Sequence, residues 1–123
     1  MKKTNLARNK KAHHDFVVLD KIEAGISLLG TEVKSCRASN ISLAEGYAAV
    51  RDGELWLLDV HIAPYDKGNL QNHDPRRPRR LLVHKKEIRE LKLKTEAKGC
   101  TMVPLNCYSL GGTIKVEIGV CRG

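Results

Sequence analysis

The sequence predicts a mainly β protein whose short antiparallel strands close into a small barrel flanked by short helices. Three observations carry this. Apolar stretches of strand length recur along the 123 residues. Two hairpin turns, Asp52-Gly53 and Gly111-Gly112, separate four of them. One segment alone, residues 85–98, has a clear helical pattern. Closure removes the free edges that short strands otherwise present to other chains. A mixed α+β sandwich is the alternative.

Residues 1–14 read as a flexible basic arm, with Lys2, Lys3, Arg8, Lys10 and Lys11 and little apolar material. Residues 15–123 read as one domain. Its first strand spans Phe16 to Glu23 and its second Ile26 to Leu29. Ala24-Gly25 forms the turn between them, with glycine free to take positive φ. Gly30-Thr31 then stops the strand and caps a helix over 32–37. In that helix Val33 and Cys36 share one side, and Lys34 and Arg37 another.

Tyr47 to Val50 and Leu55 to Ile62 form a hairpin about Asp52-Gly53. Trp56, Leu58, Val60 and Ile62 are its expected core face, and Leu55, Leu57, Asp59 and His61 point away. Pro64 ends the pattern, and residues 65–80 form a loop. Within it Pro75-Arg76-Arg77-Pro78-Arg79-Arg80 carries four guanidinium groups, kept extended by two prolines. In the helix over 85–98, Ile88 and Leu91 face the core and Gly99 ends the run. The last hairpin joins Thr101–Leu110 to Thr113–Cys121. Ile114, Val116, Ile118 and Val120 alternate strictly and define a buried face, so Lys115, Glu117, Gly119 and Cys121 point outward.

The formal net charge is +8, and it is segregated. Residues 75–98 carry ten basic and three acidic side chains, whereas residues 24–74 carry four and seven. Such a distribution suits a polyanion, because neutralised phosphates release counterions. A merely solvated basic face is the bland alternative. Catalytic signatures are missing: the chain has no serine elbow, phosphate-binding glycine loop or metal-ligand spacing, so neither catalysis nor a cofactor is expected. The four cysteines, Cys36, Cys100, Cys107 and Cys121, read as buried free thiols. Only five aromatics occur, too few for a base-stacking platform, which favours recognition of folded RNA through shape and phosphates. The longest apolar runs are four residues, so no membrane-spanning helix is expected. The basic N-terminus lacks the apolar stretch of a secretory signal, and a cytoplasmic location is the expectation.

A series of motifs then stands out. Asn9-Lys10-Lys11-Ala12-His13-His14-Asp15 and Glu23-Ala24-Gly25-Ile26 open it. Gly30-Thr31-Glu32-Val33-Lys34-Ser35, His61-Ile62-Ala63-Pro64-Tyr65 and Asn72-His73-Asp74-Pro75 follow. Arg79-Arg80-Leu81-Leu82-Val83-His84-Lys85-Lys86-Glu87-Ile88, Val103-Pro104-Leu105 and Lys115-Val116-Glu117 complete it. In this order and spacing, from about Asn9 to Gly123, the chain resembles the SmpB family, the tmRNA-binding (SsrA-binding) proteins of bacterial trans-translation. The resemblance implies an oligonucleotide-binding-like β-barrel. It implies binding to the tRNA-like domain of tmRNA, support of its aminoacylation and delivery to stalled ribosomes. Alanyl-tRNA synthetase and elongation factor Tu would be indirect partners through the RNA.

The resemblance also implies three RNA-binding positions: Glu23, Leu82 and Lys115. Taken without it, Glu23 reads as an ordinary surface carboxylate and Leu82 as core. Lys10, Lys11, His14, Lys34 and Arg37 are further candidates from charge and matched motifs, and Arg76, Arg77, Arg79 and Arg80 from the arginine-rich loop. A barrel that binds ribosomal RNA directly, or a non-specific basic protein, would satisfy the charge pattern as well. In the family, the last segment continues into Lys-Lys, an Asp-Lys-Arg motif and a basic tail that enters the decoding region. The sequence here stops at Val120-Cys121-Arg122-Gly123, with Cys121 where the family usually has Ala. This reads as a trimmed end, and RNA binding without support of tagging is the expectation.

Overall fold

The computed structural model describes residues 2–67, 71–97 and 99–123. The elements are β1 (Lys3–Arg8), α1 (Lys10–Asp15), β2 (Val17–Ile26), α2 (Gly30–Arg37), β3 (Ile41–Ser42), β4 (Tyr47–Arg51), β5 (Glu54–Leu58), β6 (His61–Ile62), β7 (Arg79–Leu82), α3 (Lys85–Thr95), β8 (Cys100–Leu110) and β9 (Thr113–Arg122). Strands β8, β4, β5, β7, β2 and β9 pair in that order, and β9 pairs back onto β8, so the antiparallel sheet closes into a barrel. The small pair β3–β6 lies apart from it.

Inward-pointing side chains fill the barrel. Leu55 and Leu57 of β5, Leu81 of β7, Ala24 of β2 and Val116, Ile118 and Val120 of β9 are all buried in one cluster, which Ile88 and Leu91 of α3 join. Each Leu, Ile or Val taken from water contributes about 1.5–3 kcal/mol. Both predicted hairpin turns form, with Asp52 and Gly53 at φ 51° and 75° and Gly111 and Gly112 at 56° and 83°. Positive φ at both central residues matches the twist of the flanking strands.

Several expectations are corrected. Ala24-Gly25 is not a turn: β2 runs unbroken through it, with Ala24 opposite Val116 and Gly25 opposite Lys115. Ala24 points into the core, and the end of β2 serves two neighbours, since Gly25 and Ile26 also pair with Leu82 and Leu81 of β7. The helix expected over 32–37 begins at Gly30. The flexible arm is not free either. β1 pairs with residues 106–110 of β8, an edge that β4 leaves open by pairing only at Met102. After it, Asn9 caps α1: its Oδ1 accepts from the Ala12 amide at 3.0 Å, and its Nδ2 donates to Leu43 O and Pro104 O. Ala12 is thereby seated on Val103, Leu105 and Cys121. This covers the outward side of the end of β9, so Gly119 and Cys121 are buried although they alternate with the core residues.

In β5 the expected core face holds at Leu58 and fails at Trp56. Leu55 and Leu57 are buried, and Trp56 is only partly covered. The alternation breaks at Leu57 and Leu58, both buried, just before Asp59 at φ 56°, and from Leu58 on, Val60 and Ile62 are buried as expected. Cys36, Cys107 and Cys121 are buried, whereas Cys100 is partly exposed. Helix α3 ends at Thr95, short of the expected 98, which lies outside the described residues, as do residues 68–70 of the expected 65–80 loop.

The arginine-rich run is divided between interior and surface. Arg79 is 0% exposed, and its Nε donates to Oε2 of the equally buried Glu32 at 2.6 Å. Its Nη1 donates to Val60 O at 2.7 Å and its Nη2 to Pro75 O at 3.1 Å. Arg77 Nη2 reaches the other carboxylate oxygen at 2.5 Å, and the Leu29 amide donates to that oxygen at 2.8 Å. Arg79 is therefore a structural group and not a surface contact, because a buried guanidinium needs a partner charge and filled hydrogen bonds.

Burial pushes the Glu32 carboxyl upward, but the Arg77, Leu29 and Arg79 hydrogen bonds outweigh it and hold the group below its ordinary value of 4.5. A carboxyl with a depressed folded pKa contributes stability above its unfolded pKa, and that contribution disappears as pH falls through the folded value. Glu32→Gln is expected to cost about 3–5 kcal/mol, because it leaves Arg79 buried without its counter-charge. Urea unfolding at neutral pH measures the loss. The acid limb of stability below pH 4.5 is expected to flatten in the variant.

Candidate nucleic-acid interface

The register of three strands builds the site. Residues directly opposite one another in a sheet share a face. Gly25 of β2, Lys115 of β9, Tyr108 of β8 and Asn5 of β1 form one transverse row on the outside of the barrel. Glu23, Glu117, Asn106 and Arg8 form the next. Between these rows lie Ala24, Val116 and Cys107, which point into the core.

Strand β7 borders this surface. Its pattern alternates between buried Arg79 and Leu81 and exposed Arg80 and Leu82. Leu82 is 45% exposed, a large apolar side chain left in solvent on a strand whose other face is core. It rests over Gly25: a Cβ on that glycine would stand 3.2 Å from Leu82 Cβ. Between β7, the β2–β9 surface and the start of α3 lies a cleft of about 530 Å³ lined by Glu23, Gly25, Arg80, Leu82 and Lys115, with His84 at its helical rim.

The cleft brings together Glu23, Leu82, Lys115 and Arg80 from positions far apart in sequence. Lys115 is partly buried on the outer face of β9, and Arg80 is exposed. Glu23 Oε2 accepts from the Tyr108 hydroxyl at 2.5 Å. Asn106 Nδ2 donates to Glu117 Oε1 at 2.9 Å in the neighbouring row. Three cations (Arg80, Lys85 and Lys115), three carboxylates (Glu23, Glu54 and Glu87) and the apolar Leu82 thus share one concave surface. That combination can neutralise phosphate, accept from a base amino group and pack on a base or sugar.

The other candidates lie elsewhere. Lys10, Lys11 and His14 are exposed on α1. Lys11 Nζ is 3.6 Å from Glu45, and His14 Nδ1 is 2.9 Å from Asp15. Since α1 packs at Cys121, six residues along β9 from Lys115, this group is roughly 20 Å from the cleft by strand rise. Lys34 and Arg37 are exposed on α2. Lys34 Nζ lies 5.4 Å from the Tyr65 ring centroid, and Arg37 Nη2 donates to Gly112 O at 2.8 Å, tying α2 to the β8–β9 turn. Arg76 is exposed and donates to Asp59 O at 3.0 Å, while Arg77 and Arg79 are engaged with Glu32. Among the described residues, no three His, Cys, Asp or Glu side chains come together as a metal site.

Tyr108 is the contributor that the sequence reading passes over. A signal for it exists: counting back across the Gly111-Gly112 turn places Tyr108 opposite Lys115, on the same face.

Residues 6–123 match the family model described as SmpB protein. The chain belongs to the SmpB family. It is 55% identical over 118 residues to the SsrA-binding protein of Ligilactobacillus salivarius, covering 96% of this chain and 76% of that protein. Its identity to the SsrA-binding protein of Carboxydothermus hydrogenoformans is 51%, with 96% and 79% covered. A solved structure of tmRNA-SmpB, described as a journey to the centre of the bacterial ribosome, contains a chain that superposes with a TM-score of 0.81 at 49% identity. That match covers 95% of this chain and 82% of the other. The barrel expected from the resemblance is the barrel observed.

Gly25→Ala is expected to displace Leu82 and to cost about 1–3 kcal/mol, the range for overpacking a fitted position. Leu82 methyl shifts in a carbon–proton spectrum report the displacement, and urea unfolding the cost.

Proposed function

We propose that this chain binds the tRNA-like domain of tmRNA (SsrA RNA), supports its aminoacylation and delivers it to stalled ribosomes for trans-translation. The observation that carries the reading is the convergence of Glu23, Leu82, Lys115 and Arg80 on one cleft in a member of the SmpB family. Lys115 and Arg80 pair with phosphates. Leu82 packs on an exposed base or sugar. Glu23 accepts from a base amino group, or orients a neighbouring cation. The chain has no catalytic step in this scheme. Alanyl-tRNA synthetase and elongation factor Tu act on the same RNA, and the work takes place in the cytoplasm.

Lys10, Lys11 and His14 on α1, and Lys34, Arg37 and Arg76, supply longer-range attraction outside the cleft. Affinity depends on salt, because each neutralised phosphate releases condensed counterions.

A competition assay with tmRNA, elongator tRNA and ribosomal RNA tests the reading. Selective binding to tmRNA, with affinity falling steeply as salt rises, is the expected result. Equal affinity for all three at moderate salt would reduce the protein to a general basic RNA binder. Lys115→Ala is expected to weaken tmRNA binding while changing stability by no more than about 0.5 kcal/mol. Anisotropy titration beside thermal melting separates the two effects. A large drop in melting temperature at unchanged affinity would overturn the assignment of Lys115.

A further inference from the structure

We propose that Tyr108 is a positioning residue for RNA recognition: its hydroxyl fixes the Glu23 carboxylate in the orientation that faces the cleft. The proposal rests on the reading of Glu23 as an RNA contact. Tyr108 is 2% exposed, so any part it has in binding is exerted through the groups it touches. Its hydroxyl donates to Glu23 Oε2 at 2.5 Å, a hydrogen bond between elements 85 residues apart. A glutamate at an exposed strand position has several rotamers open to it, and choosing one on binding costs entropy. The phenol makes that choice before RNA arrives. It occupies one carboxylate oxygen and leaves the other free to accept from a base, since a carboxylate has about four lone-pair sites.

The phenol is itself held from two sides. Lys115 stands opposite Tyr108 on β9 and Asn5 stands opposite it on β1. Lys3 Nζ lies 4.1 Å from the ring centroid. The N-terminal strand therefore acts as a clamp over the residue that holds Glu23. Burial, and then the Glu23 carboxylate, push the phenol pKa upward, so it stays a donor throughout the neutral range.

The test is a double-mutant cycle on the full chain, read by anisotropy with the tRNA-like domain of tmRNA. Tyr108→Phe keeps the ring and removes only the donor. It is expected to weaken binding about tenfold, the loss that corresponds to one charge-assisted hydrogen bond. Glu23→Ala is expected to weaken binding at least as much. The double variant Y108F/E23A is expected to bind no worse than E23A alone, because Tyr108 then has nothing to position. Losses that add in the double variant would overturn the proposal, and a general loosening of the fold would show itself in that way too. A Y108F variant that binds like the parent, beside a weakened E23A, would refute the positioning role and leave Glu23 as a contact. An E23A variant that binds normally would overturn both the Glu23 contact and the proposal built on it.

Discussion

The register of the β8–β9 hairpin is the constraint on which the remaining structure depends. Gly111 and Gly112 permit a two-residue turn that pairs Leu110 with Thr113, and each later pair follows from it. A slip by one residue would carry Val116 and Ile118 to the outside and Lys115 into the core. The same two strands close the barrel, receive β1 and β2 on their outer edges and carry α1 across their far end. Closure and the outer rows that border the cleft are therefore one geometric fact. The irregularity between Pro104 and Asn106 adjusts the pairing only beyond the rows that matter for Lys115 and Tyr108.

The second constraint is electrostatic and lies inside. Glu32 draws Arg79 completely, and Arg77 partly, out of the basic surface that composition suggests. Glu32 sits in α2, Arg79 in β7 and the Val60 carbonyl beyond β5, so one buried ion pair, with Arg79 as the link, ties three parts of the chain together. Burial of two charges is tolerable because both are hydrogen-bonded on several sides. The outward charge of the run is left to Arg76 and Arg80, and only Arg80 lines the cleft.

The cleft is consequently mixed and not uniformly positive. A purely basic groove would bind any RNA. Glu23, Glu54 and Glu87 stand among Arg80, Lys85 and Lys115, and in the proposed function this mixture would admit donor groups of a base edge and oppose indiscriminate contact with phosphate. Exposure of Leu82 follows from the alternation of β7, which turns Arg79 and Leu81 inward, and the missing side chain of Gly25 lets the leucine lie close across β2. The cleft is thus built on strands and held by the neighbours packed behind and beside it.

Patterns of short range were legible in the sequence. The two glycine turns, the alternation of Ile114 to Val120, the outward Lys115 and the helix over Ile88 and Leu91 depend on local conformation and periodicity, which neighbouring residues determine. The family's motif series marked Glu23, Leu82 and Lys115 before any fold was in hand. Properties that require knowing what lies across a gap were decided only by the tertiary structure. Ala24-Gly25 has turn chemistry but became strand, because β9 and β7 both offered it partners. Residues 3–8 look too polar for a strand, yet β8 had an open edge whose backbone groups needed pairing. Trp56 lost the core to Leu55 and Leu57 because the alternation that runs back from Ile62 through Val60 and Leu58 breaks at Leu57-Leu58, where both side chains are buried. Arg79 is indistinguishable from Arg80 in composition. The one is buried on Glu32 and the other faces the cleft, because a strand sends adjacent side chains to opposite sides and only the fold decides what waits on each.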